Sequence, residues 1–336
     1  MSNYQENNIT KSQLDTAQDT LQPGAVTTIT DSLRYQSDPL AVFHTLCADK
    51  TNTLLLESAE VDKKHQLKSL LLIDTAVKIV CNANSVTFTA LTHNGENALA
   101  FAKQALAEDA QITGDKQAFT ATFTEIPQQL DERSRLLAVN PFQSLRLFTQ
   151  LKNSNHHPFA VFLGGAFAFD MMAMSESLPE VNDGENSCPD FVYYLAETLV
   201  VIDHEQQSSE VIANLFTGEH YQNAQSFALA KIAAIKASLL ADITANFAAK
   251  ISRTTTTNKP KTALTCDIDD EAFCNIVNDL KENILAGDIF QVVPSRTFSL
   301  PCSNTLNAYK ALKHHNPSPY MFYLHDSEFC IFGASP

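Results

Sequence analysis

Short runs of aliphatic and β-branched residues recur along this 336-residue chain without the steady alternation with helices that a parallel sheet needs. Leu54-Leu55-Leu56 reads as a strand that ends at Glu57-Ser58. Residues 70–73, 77–80 and 86–90 read as β, as do 192–195 and 198–202. Residues 159–169 read as a buried strand in which Gly164-Gly165 marks a close backbone approach. Helical spacing covers residues 97–107 and 221–249. It also links Phe142, Leu145, Phe148 and Leu151 behind an Asn140-Pro141 start. The pattern predicts an α+β fold with largely antiparallel sheets packed together and helices outside.

The chain divides by composition. Residues 1–35 are polar and aperiodic at their start and read as a flexible extension, with order expected near Leu40. Residues 36–250 form a first region. Residues 251–265, with four consecutive threonines and Lys259-Pro260-Lys261, read as a linker. Residues 266–336 begin a second region. There, Asp267 or Asp269 caps a helix bearing Phe273, Ile276, Val277, Leu280 and Ile284, and Gly287 ends it. Residues 289–293 read as a strand and 305–314 as a helix with Leu306, Tyr309 and Leu312 inward. Residues 321–324 and 329–332 read as a hairpin. The last strand runs straight into Gly333-Ala334-Ser335-Pro336, so the sequence reads as a C-terminally incomplete fragment.

Acids outnumber bases 38 to 23, a net charge of −15, which argues against a nucleic-acid partner. The longest uncharged apolar stretch is residues 159–169, too short to span a bilayer. Seven cysteines without a C-x-x-C pair point away from disulfides and structural zinc, and a cytoplasmic location is expected. The adjacent pairs His156-His157 and His314-His315 read as surface histidines, because neighbours point apart on a strand or helix. No P-loop, G-x-G-x-x-G or G-x-S-x-G is present.

Two segments carry more. On a strand Gln291 faces the same way as Ile289 and Val293, so it is either a hydrogen-bonded core residue or part of a pocket. Asn316-Pro317-Ser318-Pro319-Tyr320-Met321-Phe322 is a proline-stiffened turn that feeds a strand. It suits an ordinary loop or the wall of a site for a small flat ligand.

These segments, together with Leu54 to Ala59, Leu67 to Asp74, Phe162 to Phe167, Cys188 to Phe191, Tyr194 to Leu199, Gly287 to Arg296 and Phe332 to Pro336, resemble the large-subunit family of anthranilate synthase, component I. The stretches are collinear from about residue 40 onward. The resemblance implies a two-region chorismate-utilising fold. It also implies conversion of chorismate and ammonia to anthranilate and pyruvate, with Mg²⁺, ammonia from a glutamine amidotransferase subunit (component II), and feedback inhibition by L-tryptophan. In the family, the Mg²⁺ carboxylates and the main catalytic residues follow Gly-Ala-Ser-Pro. They would therefore lie beyond residue 336, and the chain as given is expected to be inactive alone.

By the same resemblance, Leu56, Glu57, Ser58, Lys68, Pro319, Tyr320 and Met321 line the tryptophan site. Glu57 or nearby carbonyls would meet the ammonium, and Pro319 and Met321 the indole. Gln291 falls in the chorismate pocket. Relatives that add water carry Lys there as a base, whereas ammonia brings its own lone pair, so a neutral Gln fits amine addition. Arg296 either supports that pocket or pairs with surface acids. The aminodeoxychorismate synthase large subunit and a non-catalytic tryptophan-binding module are the competing readings.

Overall fold

The computed structural model describes residues 22–57, 68–127, 129–174, 187–240, 243 and 264–335. Ser58 and nearly all of the expected linker lie outside these residues. The strands are β1 (Ala25–Leu33), β2 (Thr53–Glu57), β3 (Lys68–Asn82), β4 (Ser85–Ala90), β5 (Gln111–Gly114), β6 (Ala118–Thr122), β7 (Lys152–Asn153), β8 (Leu163–Phe167), β9 (Phe191–Asp203), β10 (Ser208–Phe216), β11 (Thr265–Cys266), β12 (Phe298–Ser299), β13 (Tyr320–His325) and β14 (Cys330–Ser335). The helices are α1 (Pro39–Cys47), α2 (His93–Ala105), α3 (Glu132–Leu137), α4 (Gln143–Arg146), α5 (Tyr221–Ser238), α6 (Asp270–Ala286) and α7 (Thr305–His315). The fold is α+β.

The chain separates into two units, residues 1–247 with 309–336, and residues 248–308. The first is organised by one twelve-stranded sheet with the path β14-β13-β2-β3-β9-β10-β1-β7, where β8 joins β9 and β4 to β6 extend from β3. Every ladder in it is antiparallel except the short β1–β7 pair. A second, two-stranded sheet, β11-β12, lies in the other unit.

Four local expectations are corrected. Strand β1 lies inside the expected extension and pairs with β10 along its length. Val26, Thr28 and Ile29 are buried among half-exposed Thr27 and Thr30, so a half-polar strand passed for an unstructured tail. The runs 70–73 and 77–80 are one strand, β3, whose register against β9 shifts between Leu72 and Val77; bulges bend a long strand without ending it. The apolar residues from Phe142 to Leu151 form a short α4 and then a 3₁₀ turn, Leu147–Gln150; a spacing of three is the 3₁₀ period. Residues 289–293 form no strand: the run enters no ladder among the described residues, and Phe290 and Val293 are exposed.

The core of the first unit sits against the middle of the sheet. Val77, Ile79, Val86, Phe88 and Phe119 pack with Ala98, Leu99 and Ala102 of α2. A second cluster gathers Leu54, Leu72, Tyr194, Leu199, Ile212 and Leu324 from neighbouring strands. Gly165 explains its own identity. A Cβ there would lie 2.0 Å from the Val192 carbonyl oxygen and 2.7 Å from Tyr193 Cα, across the β8–β9 ladder. Backbone on both sides cannot yield cheaply. Gly165→Ala is therefore expected to cost about 2–3 kcal/mol, the upper part of the ordinary range for single substitutions, measured by denaturant unfolding.

In the second unit, Asp269 caps α6 by accepting from the Ala272 N–H at 2.8 Å. Gly287 closes the helix at φ +84°, a left-handed conformation that glycine adopts without cost. Arg296 pairs with Asp270 at 2.5 Å and lies 5.0 Å and 4.7 Å from the Phe273 and Phe298 ring centroids. It organises this unit's own surface.

Candidate functional site

Strand β2 is short and almost wholly buried, and it pairs on one side with β3 and on the other with β13. The β13 pairing sets Glu57 opposite Met321 and Leu56 opposite Phe322. Residues 264 positions apart in the chain thus become cross-strand neighbours. Of the seven residues assigned to the tryptophan site, the six described ones gather at one end of β13, β2 and β3.

Strand alternation divides them between two faces. Directly opposed residues project the same way, so Glu57 and Met321 share one face. Leu56 pairs with Leu70, and Lys68 lies two residues from Leu70, so Leu56 and Lys68 share the other. Tyr320 is out of phase with Met321 and is 72% exposed. Pro319 precedes β13 and is half-buried. Its neighbour Ser318 fixes the turn: its hydroxyl accepts from the Tyr320 N–H and donates to the Ser335 carbonyl of β14.

The face holding Glu57 is covered by the part of α7 that belongs to the first unit. Tyr309 donates to Glu57 Oε1 at 2.6 Å, and Lys313 Nζ pairs with Oε2 at 2.5 Å. Tyr309 and Lys313 stand one turn apart, which puts both on the same helix face. Both oxygens of a side chain that is 1% exposed are therefore taken by this chain's own donors. Burial first, and then the Glu57 charge, raise the Tyr309 pKa, so its hydroxyl stays a donor. Tyr309 also packs against Tyr323, which contacts Phe43 of α1. Sequence reasoning placed Tyr309 inward but missed Lys313; its spacing of four from the inward Tyr309 was the available signal.

On the opposite margin Lys68 pairs with Asp203 at 3.4 Å and stays half exposed. The next residue, Ser69, is buried and hydrogen-bonded to His204 Nε2 at 2.9 Å, while Tyr35 meets His204 Nδ1 at 3.2 Å. Beyond the far end of β13, Asp326 is fully buried and holds two more groups. Lys78 Nζ lies 2.7 Å from it, and Tyr194 donates to it. The hairpin β13–β14 is thus tied at both ends, at Glu57 and at Asp326, to strands that come early in the chain.

Gln291 is exposed, in an irregular stretch of the second unit. The expected facing with Ile289 and Val293 does not arise, because no strand forms there. All seven cysteines are free. Burial pushes the Cys47 and Cys81 thiols up to about 12, so neither is a nucleophile at neutral pH. Among the described residues no helix is long and apolar enough to cross a membrane. The one cluster of three metal-ligating side chains among them, His93, Glu96 and His220, has two imidazoles. Mg²⁺ takes oxygen ligands, so these residues do not suit it.

Residues 88–336 match the family described as chorismate binding enzyme, and the chain belongs to that family. Its similar curated relatives are more particular. It is 44% identical over 305 residues to anthranilate synthase component 1 of Vibrio cholerae, covering 90% of this chain and 56% of that protein. It is 40% identical over 303 residues to anthranilate synthase component 1 of Escherichia coli K12, again covering 90% and 56%. The chain spans a little over half the length of these relatives. A solved structure of anthranilate synthase component I from Streptococcus pneumoniae aligns at 16% identity with a TM-score of 0.42, over 82% of this chain and 52% of that one.

Proposed function

We propose that this chain is part of an anthranilate synthase large subunit, which converts chorismate and ammonia to anthranilate and pyruvate and is inhibited by L-tryptophan. The identity to proteins named anthranilate synthase component 1 over nine-tenths of the chain carries the reading. A glutamine amidotransferase subunit would supply the ammonia. Mg²⁺ would assist the chemistry.

The register that sets Glu57 opposite Met321 supports an effector site at the β2–β13 end. In that site Glu57 is a positioning residue, because its carboxylate is already held by Tyr309 and Lys313. The ammonium of L-tryptophan then falls to nearby backbone carbonyls. Pro319 presents apolar surface to the indole and Met321, buried beneath α7, backs it, while Leu56 and Lys68 border the site from the other face. Such a ligand would touch segments from both ends of the sequence, so its binding energy can bias how they pack, as an allosteric effector must.

Gln291 is assigned to the chorismate pocket. A neutral amide cannot deprotonate water, so the nucleophile must arrive with its lone pair free, as ammonia does. Extended to the length of its relatives, the protein is expected to form anthranilate from chorismate and ammonium salts, read by product fluorescence. Gln291→Lys should lower that rate by at least about tenfold, the scale of a displaced pocket group. Formation of a different aminated product, or undiminished anthranilate formation by Gln291→Lys, overturns the corresponding assignment.

A further inference from the structure

We propose that His93, Glu96 and His220 form a binding site for a borderline divalent transition-metal ion, best fitted by Zn²⁺. His93 Nδ1 lies 3.2 Å from Glu96 Oε1, and His220 Nε2 lies 3.4 Å from Glu96 Oε2. One ligand atom from each residue can be chosen so that all lie within 4.8 Å of one another. Zinc bonds of about 2.0–2.1 Å in a tetrahedron place neighbouring ligand atoms roughly 3.4 Å apart, so small side-chain adjustments close the set. Two imidazoles and one carboxylate with a fourth position left to water are a donor set for zinc; hard oxygen-seeking cations select otherwise.

A second observation points to a ligand. The Glu96 side chain is 9% exposed, yet its Oε2 is buried without a hydrogen bond. A buried carboxylate oxygen left so is costly, and a cation would satisfy it. Lys116 Nζ stands 3.8 Å away on a side chain that is 71% exposed. It offers weak compensation and can withdraw into water when a metal enters.

The three residues are held by the backbone. Thr92 caps α2 by accepting from the Gly95 N–H at 3.0 Å, which fixes the first turn and puts His93 and Glu96 on one face at a spacing of three. The next residue, Asn97, accepts from the His220 N–H at 3.1 Å and donates to the Phe216 carbonyl at 2.9 Å. The His220 backbone is thereby seated beside α2, and its imidazole makes no capping hydrogen bond to α5. A metal here would clasp the start of α2 to the start of α5. The two helix N-termini and Lys116 oppose a cation, and Glu96 with the metal–nitrogen bonds must outweigh them.

Calorimetric titration of the chain with ZnCl₂ tests the site. Exposed cysteines can also take zinc, so the comparison is between variants. Wild type should bind one equivalent that His220→Ala weakens by about 100-fold or abolishes, with other equivalents unaffected. Zn²⁺ should raise the unfolding temperature of wild type and leave that of His220→Ala unmoved. Lys116→Met should tighten binding severalfold, an effect that a mere ion-pair cluster would not give. His93→Gln, at a side chain 68% exposed, repeats the test if His220→Ala folds poorly. Equal zinc uptake and equal thermal response in wild type and these histidine variants, or no saturable uptake at all, overturns the proposal.

Discussion

Asp326→Ala is expected to lower stability by about 3 kcal/mol, or roughly 6–12 °C in unfolding temperature. Asp326 is fully buried, and its removal strands two partners at once, the Lys78 ammonium and the Tyr194 hydroxyl. The cost belongs at the low end of the range for severed buried pairs, because the Lys78 side chain keeps 16% of its exposure and can recruit water. Asp326→Asn should cost less, since the amide still accepts from Tyr194. The pH dependence has a definite sign. Burial pushes the Asp326 pKa up, but hydrogen bonds from Lys78 and Tyr194 more than offset it, so the folded value lies below the ordinary one. The charge therefore stabilises the fold fully above the unfolded value of about 3.9, and this is lost as pH falls through the folded value. Denaturant unfolding of wild type and Asp326→Asn should converge on acidification below about pH 4. A gap that is constant from pH 7 to pH 3 would contradict the ion-pair account.

Glu57→Ala is expected to have a comparable effect on stability and a second one on ligand binding. It leaves Lys313 and Tyr309 facing a cavity beside Met321, at a cost of about 3 kcal/mol. Because α7 then loses its hold on β2, the tryptophan site should loosen and affinity should fall by at least about tenfold, some 1.4 kcal/mol. Glu57→Gln separates the effects: it can still accept from Tyr309, so affinity should fall less while the Lys313 pair is lost. Equal affinity in wild type and Glu57→Ala would remove Glu57 from any positioning role.

What the sequence revealed was local. A cap at Asp267 or Asp269, of which the structure uses Asp269, the stop at Gly287, the inward Tyr309, the end of the β2 run near Glu57 and the turn before β13 all follow from neighbours a few residues apart. Periodicity reports which face is apolar and says nothing of which strand lies beside it. The β2–β13 ladder, the Glu57–Lys313 pair and the Lys78–Asp326 pair join residues about 250 positions apart, so no window of sequence contains them. The resemblance to a family supplied the grouping of Glu57 with Met321, and β2–β13 pairing sets the two residues opposite one another. Polar composition hid β1, where Thr27 and Thr30 are half-exposed and the buried Thr28 is satisfied by Asn214. The apolar run at residues 289–293 misled for the opposite reason: strand-like composition forms a strand only where a partner edge is available.

L-Tryptophan is proposed to bind where β2 meets β13. This chain contains no Trp, so added L-tryptophan is the only indole in solution and reports its own environment. Titrating L-tryptophan with the chain should give a saturable blue shift and anisotropy rise. Met321→Ala and Ser58→Phe should each weaken that response by at least about tenfold. Saturable binding that is undiminished in both variants, or no binding to wild type, would contradict it.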